Sequence, residues 1–154
     1  MIKIRISSIN KNNLLLELAM KCCSHIAYFD KKKKHIFIAN FKDDEFTGEI
    51  YYCLMFHPND EEYGQLIKED NEKLYEHIKR LALKDYYDIR EITKEEASKI
   101  IETFEPIGKF ILEDNGVFVG IDNSTGDCWV EEFDNFYLCV DWIRGKFEIF
   151  DFEQ

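Results

Sequence analysis

The stretch from Val119 to Phe133, VGIDNSTGDCWVEEF, gathers the side chains best suited to chemistry: Asp122, Asn123, Asp127, Glu131 and Glu132 around Gly126 and Trp129. Oxygen ligands this close together suggest a calcium loop, and neighbouring carboxylates suggest general acid–base work. The calcium spacing fails. An EF-hand loop needs oxygen ligands at positions 1, 3 and 5, then Gly, then Glu at position 12. Counted from Asp122, position 3 is Ser124, position 5 is Gly126 and position 12 is Phe133. The carboxylate pair fails as well, because adjacent residues of a strand point to opposite faces and Glu131 and Glu132 then do not meet one substrate. A turn accounts for the same residues: Asn and Asp hydrogen-bond their own backbone, and Gly126 supplies positive φ. A small metal-dependent enzyme would instead have to use Glu131 with Asp122 or Asp127. Trp129 reads as a core or edge aromatic that packs on the following helix.

The remaining reactive residues are scattered. His25, His35, His57 and His77 form no H-E-x-x-H or other metal spacing. Cys22, Cys23 and His25 are near in sequence, but a thiol–imidazole pair needs contact in space, and buried thiols are the simpler reading. The seven glycines lie at separate turns, so no glycine-rich phosphate loop exists. Lys31–Lys34 reads as a solvated hairpin tip. No catalytic residue, metal or cofactor is expected.

The elements that must position these residues follow from pattern. Ile2, Ile4 and Ile6 alternate with polar residues, as in a half-buried strand. A buried helix is expected over 13–24, capped by Asn12 or Asn13. HIAYF and HIFIANF form a hairpin, and GEIYYCLMFH is a further strand stopped by Pro58. Tyr63, Ile67, Leu74, Ile78 and Leu81 recur at helical spacing, which predicts an amphipathic helix, or two, from Asp60 to Tyr86 with a break near Asp70. Thr93 and Glu96 form a capping-box pattern that starts a helix, with Ala97, Ile100, Ile101 and Phe104 inward and Pro106 as its end. Asn115-Gly116 predicts a type I′ turn between GKFILED and VFVGID, and CWVEEF completes a meander. DNFYLCVDWIRG predicts a short helix capped by Asp134 or Asn135, with Phe136, Cys139, Val140 and Ile143 inward and Gly145 as its stop. KFEIFDFE reads as a last strand. The fold class is α+β, mainly antiparallel sheet with three to four helices. It is one domain over 1–154, with room for sub-lobes 1–58 and 106–154 joined by helices across 60–105.

The 154 residues are the length of one ordinary domain, and 45% hydrophobic with 33% charged residues is a globular composition. Five cysteines, an odd number with no C-x-x-C pair, indicate a reducing compartment. The apolar stretch near the start is soon interrupted by Glu17 and is too short for a signal peptide or membrane span, so a cytoplasmic protein is expected. The net charge of −11 is uneven. Residues 1–44 carry 9 Lys/Arg against 4 Asp/Glu, and residues 45–154 carry 11 against 27. A field of that sign repels nucleic acid and favours a basic partner, although acidic charge also serves solubility.

The segment from Thr93 to Trp142 resembles a C-terminal module of small proteins carried by Firmicute phages and mobile elements. The resemblance rests on EPIGKF, GIDNSTGDCWVEEF and the Cys139/Trp142 pair, and extends over about a third of the chain. It brings no catalytic residues. It implies a setting in which small acidic proteins block host defence enzymes, anti-CRISPR proteins among them. The resulting expectation is a non-enzymatic inhibitor that occupies a basic nucleic-acid-binding groove of a host enzyme, with no direct contact to nucleic acid or membrane. Its partner-binding residues would be Glu61, Glu62, Tyr63, Glu69, Asp70 and Glu72 in one stretch and Asp127, Glu131, Glu132 and Asp134 in another. An immunity or antitoxin-like protein neutralising one cognate toxin is the alternative, and the small metal-dependent enzyme is a third reading.

Overall fold

The computed structural model describes residues 1–4, 24–54 and 63–149. Its contacts divide the chain into two compact units, Met1–Ala82 and Leu83–Gln154. Among the described residues the architecture is α+β: three helices and two sheets in which nearly all pairings are antiparallel.

The first unit contains a five-stranded antiparallel sheet in which each strand pairs with the next: β1 (Ile2–Ile4), β2 (Ser24–Asp30), β3 (His35–Lys42), β4 (Glu45–Leu54) and β5 (Tyr63–Gln65). The lysine tip forms as expected. Asp30 Oδ1 accepts from the amides of Lys32 and Lys33, at 3.0 and 3.4 Å, and Lys34 takes φ 59° to close the turn. Asp43 and Asp44 both have positive φ, which makes a tight two-residue turn into β4. The central strand β3 is buried along most of its length. Ile36 and Ile38 pack with Ala27 and Cys53 on one face. On the other face Phe41 meets Phe46, and Phe46 meets Tyr75 from α1 (Glu72–Tyr86). Tyr75 also donates to the Gly48 carbonyl at 2.6 Å, so this aromatic is anchored at its polar end.

One expectation is corrected here. Helix does not extend back through residues 63–71. Tyr63–Gln65 instead forms β5 on the edge of β4, opposite Tyr51–Cys53. Gly64 explains the choice: a Cβ there would lie 3.2 Å from the Tyr52 hydroxyl, so the glycine gives Tyr52 room to lie against the strand. The helix begins only after Asn71, whose side chain accepts from the Leu74 amide at 3.3 Å. The expected helix over 13–24, apart from Ser24 at the start of β2, lies outside the described residues, as do Pro58 and residues 60–62.

The second unit contains β6 (Ile89–Glu91), β7 (Gly108–Asp114), β8 (Val117–Asn123) and β9 (Trp129–Phe133), in that order across the sheet. β6 was not anticipated. It runs parallel to β7, and α2 (Lys94–Thr103) makes the crossover between them. The meander β7–β8–β9 is as read, with Asn115 and Gly116 both at positive φ in the first turn. The capping box at Thr93 is complete, with side-chain to amide bonds in both directions. α2 ends earlier than Pro106 implied, at Thr103, where Phe104 turns left-handed and donates its amide to the Ile100 carbonyl at 2.8 Å.

The sheet of this unit is covered by a helix on each face. Ala97 and Ile100 of α2 pack on Phe110 and Ile121, with Leu112 and Val119 at the margin. α3 (Phe136–Ile143) covers the opposite face, where Phe136 meets Phe118 edge-on. All four of its expected inward residues, Phe136, Cys139, Val140 and Ile143, are buried, and Asn135 is the cap. The expected last strand is corrected for the residues described. Lys146–Ile149 pairs with no strand, and Phe147 turns its ring to Phe133, with centroids 6.2 Å apart, on the face of the sheet.

Candidate functional site

The loop that joins β8 to β9 consumes most of its own polar groups. Asp122 Oδ1 accepts from the Ser124 amide at 3.1 Å and from its hydroxyl at 2.6 Å. Thr125 donates to Asp127 at 2.9 Å, and Gly126 takes φ 85°. Asn123 does more than turn the chain. Its side chain is fully buried and donates to the carbonyls of Phe104 and Pro106, each at 2.9 Å, while its oxygen accepts from the Cys128 amide at 3.1 Å. The residues beyond α2 and the β8–β9 loop are thereby tied together. Among the described residues no three His, Cys, Asp or Glu side chains are grouped as a metal ion would require.

β9 is an edge strand, and its alternation separates the two glutamates as expected. Glu131 lies opposite Gly120 and Glu132 opposite Val119, on different faces. Trp129, which lies opposite Asp122, shares the face of Glu131 and is not a core residue: 63% of it is exposed. With Trp142 of α3 and Phe147 it walls a cleft of about 360 Å³, whose polar lining is Asp122, Glu131 and Glu148. Phe133 supports this wall from below, with its ring 5.9 Å from that of Trp142 and 6.2 Å from that of Phe147. Sequence reasoning reached Glu131 but missed its aromatic walls. The signal was present in part, since Trp129 and Glu131 are two apart in one strand and must share a face.

The anticipated partner-binding residues fall on different units. Glu61 and Glu62 lie outside the described residues. Tyr63 is exposed on β5, Glu69 and Asp70 are exposed in the turn before α1, and Glu72 is exposed in its first turn. Here cations are interleaved, and Lys68 pairs with Glu76 at 3.1 Å. Asp127, Glu131, Glu132 and Asp134 all belong to the second unit, on the β8–β9 loop, β9 and the turn after it. The charge divides sharply with the units. Residues 1–82 hold 13 basic and 13 acidic side chains, whereas residues 83–154 hold 7 basic and 18 acidic, so the second unit carries the whole net charge of −11. Between Lys109 and Arg144 there are eight carboxylates and no Lys or Arg. Arg144 is itself engaged, 3.1 Å from Asp141 and stacked over Tyr87.

Cys128 and Cys139 are not joined in a disulfide. Burial raises the Cys128 thiol above its ordinary value and pushes Cys139 up to about 12. Cys22 and Cys23 lie outside the described residues, and with them any pairing to His25. A consequence can be measured. The folded Cys139 keeps its proton while the unfolded thiol loses it near 9, so this residue stabilises fully below pH 9 and its contribution fades as pH rises towards 12. The difference in urea stability between wild type and Cys139→Ala should therefore shrink over that range. A difference constant from neutral pH to the alkaline limit would overturn the assignment.

No family model matches the chain, and neither a curated protein nor a solved structure matches it.

Proposed function

We infer that the protein is an acidic binding protein that docks on the basic, nucleic-acid-binding surface of an enzyme and blocks it. The observation that carries this reading is the placement of the entire net charge on the second unit, concentrated in the run between Lys109 and Arg144 that holds no Lys or Arg. Edge-strand glutamates and loop aspartates there can meet the arginines and lysines that line a nucleic-acid groove, and such charges speed and orient encounter. The likeness of Thr93–Trp142 to a phage-borne module adds the setting of an inhibitor of a host defence enzyme.

The test begins with a tagged pull-down from bacterial lysate at low and high salt, followed by affinity measurements on the purified pair. Binding should weaken as salt rises. The triple variant Asp127→Lys, Glu132→Lys, Asp134→Lys should bind at least about tenfold more weakly, with most of the loss in the association rate. Reversal of Glu69, Asp70 and Glu72 on the charge-balanced first unit should matter less. Affinity indifferent both to salt and to the triple reversal would remove this reading.

A further inference from the structure

The cleft on the α3 face of the second unit joins an aromatic wall to an acidic one. Trp129 and Trp142 are the chain's two tryptophans, and both line it together with Phe147. The polar part of the lining is carboxylate: Asp122, Glu131 and Glu148, with no Lys or Arg. Aromatic faces carry negative potential, so rings and carboxylates act in the same direction on whatever enters. Two details sharpen this. Trp129 leaves 63% of its large aromatic surface exposed on an edge strand. The Glu131 carboxylate makes no hydrogen bond and no ion pair among the described residues, while the Asp122 carboxylate has used only one oxygen, on Ser124.

The geometry points to a seat for the guanidinium of an arginine side chain presented by a basic protein partner, an inference that rests on the acidic-binding reading above. Arginine fits better than lysine for a physical reason. Its planar head can lie against an indole face while its N–H fork meets a carboxylate, whereas an ammonium is a compact, strongly hydrated charge with no face to stack. Trp129 lies directly across from Asp122, and Glu131 follows on the same face roughly 7 Å along the strand. One guanidinium can therefore touch a ring and be held between the two carboxylates.

The arrangement supplies its own reporter, since both tryptophans line the cleft and selectively excited tryptophan emission reads that place. The probes are Nα-acetylarginine amide, the corresponding lysine amide and the neutral citrulline amide, titrated into the full chain, with calorimetry for the tryptophan variant. The arginine probe should give a saturable emission change, the lysine probe a weaker one and the citrulline probe none. Glu131→Gln should weaken the arginine probe about tenfold, because a charge-assisted bond is lost with shape preserved. Trp129→Ala, at an exposed position that leaves the circular dichroism spectrum intact, should weaken it comparably. No saturable response, equal response to the three probes, or titrations unchanged in both variants would overturn the proposal. Polylysine binding at low and high salt is measured in parallel. Salt-dependent polylysine binding without arginine selectivity removes the cleft inference and keeps the acidic surface, and loss of both removes the acidic surface as well.

Discussion

Asn123→Ala is expected to destabilise the second unit by about 2–3 kcal/mol, because it removes at once the three hydrogen bonds that a fully buried side chain makes to the main chain. Asn123 is fully buried, and every hydrogen-bonding group it uses points at a main-chain partner: two carbonyls beyond α2 and one amide in the β8–β9 loop. Each orphaned group costs about 1–3 kcal/mol, reduced where water can enter. Urea unfolding followed by tryptophan emission reads this unit directly, since both tryptophans belong to it. Asn123→Asp adds a sign that packing alone would not produce. An ionised carboxylate has no hydrogen to give and faces two carbonyl oxygens, so its folded pKa must rise above the unfolded value of about 3.9. The variant's deficit relative to wild type should therefore shrink as pH falls, when the protonated carboxyl can donate to one carbonyl, and grow again as pH rises. A loss below about 0.5 kcal/mol for Asn123→Ala, the range of an ordinary surface substitution, would show that these bonds do not hold the loops.

The same residue connects the fold to the cleft. Asn123 ends β8, and its oxygen holds the amide of Cys128, the residue before Trp129. The stretch that first suggested a metal loop therefore does structural work: it turns the chain and fixes where the exposed tryptophan emerges. The carboxylates left over from that work are the ones on the cleft. Asp122 keeps one oxygen clear of Ser124, and Glu131 follows on the strand that Asn123 helps to orient.

What was legible in the sequence was local. The capping box at Thr93, the Asn115-Gly116 turn and the four-residue inner face of α3 each depend on residues within a few positions of one another, and each formed as read. What was not legible depended on partners far along the chain. Tyr63 and Ile67 fit a helical period with Leu74, but β4 offered an open edge and Gly64 could lie under Tyr52, so pairing displaced the helix. β6 is three residues long and pairs only with a strand that follows a ten-residue helix, which leaves no periodic signal of its own. Phe147, Ile149 and the residues between them alternate like a strand, yet the ring of Phe133 was the better partner for Phe147. The charge asymmetry was visible from the start, but its boundary was not. Only the division after Ala82 shows that one unit is neutral and the other holds all of the excess.

Gly120→Val should be the second strongly destabilising change, and it tests whether the cleft depends on a close approach of α3 to the sheet. A Cβ at residue 120 would lie 3.0 Å from the Cys139 sulfur and from Ile143 Cγ1, and 3.1 Å from Trp142 Cε3. All three neighbours are on α3, so the helix rests on bare strand backbone at this point. Intrinsic preference argues the other way, since valine is a better strand former than glycine by up to about 1 kcal/mol. The sign of the result therefore decides between the two effects. Overpacking of a filled interface costs about 1–3 kcal/mol for a small excess and more for a branched side chain, so a net loss of about 3 kcal/mol is expected in urea unfolding. Gly120→Ala should lose less. Its loss should shrink further in a Cys139→Ala background, where the sulfur it would strike is gone, which a double-mutant cycle measures directly. Because Trp142 is one of the displaced neighbours and a wall of the cleft, Gly120→Val should also shift the folded-state tryptophan emission to the red, whereas a stabilised protein with unchanged emission would mean that α3 is not held against β8 in this way.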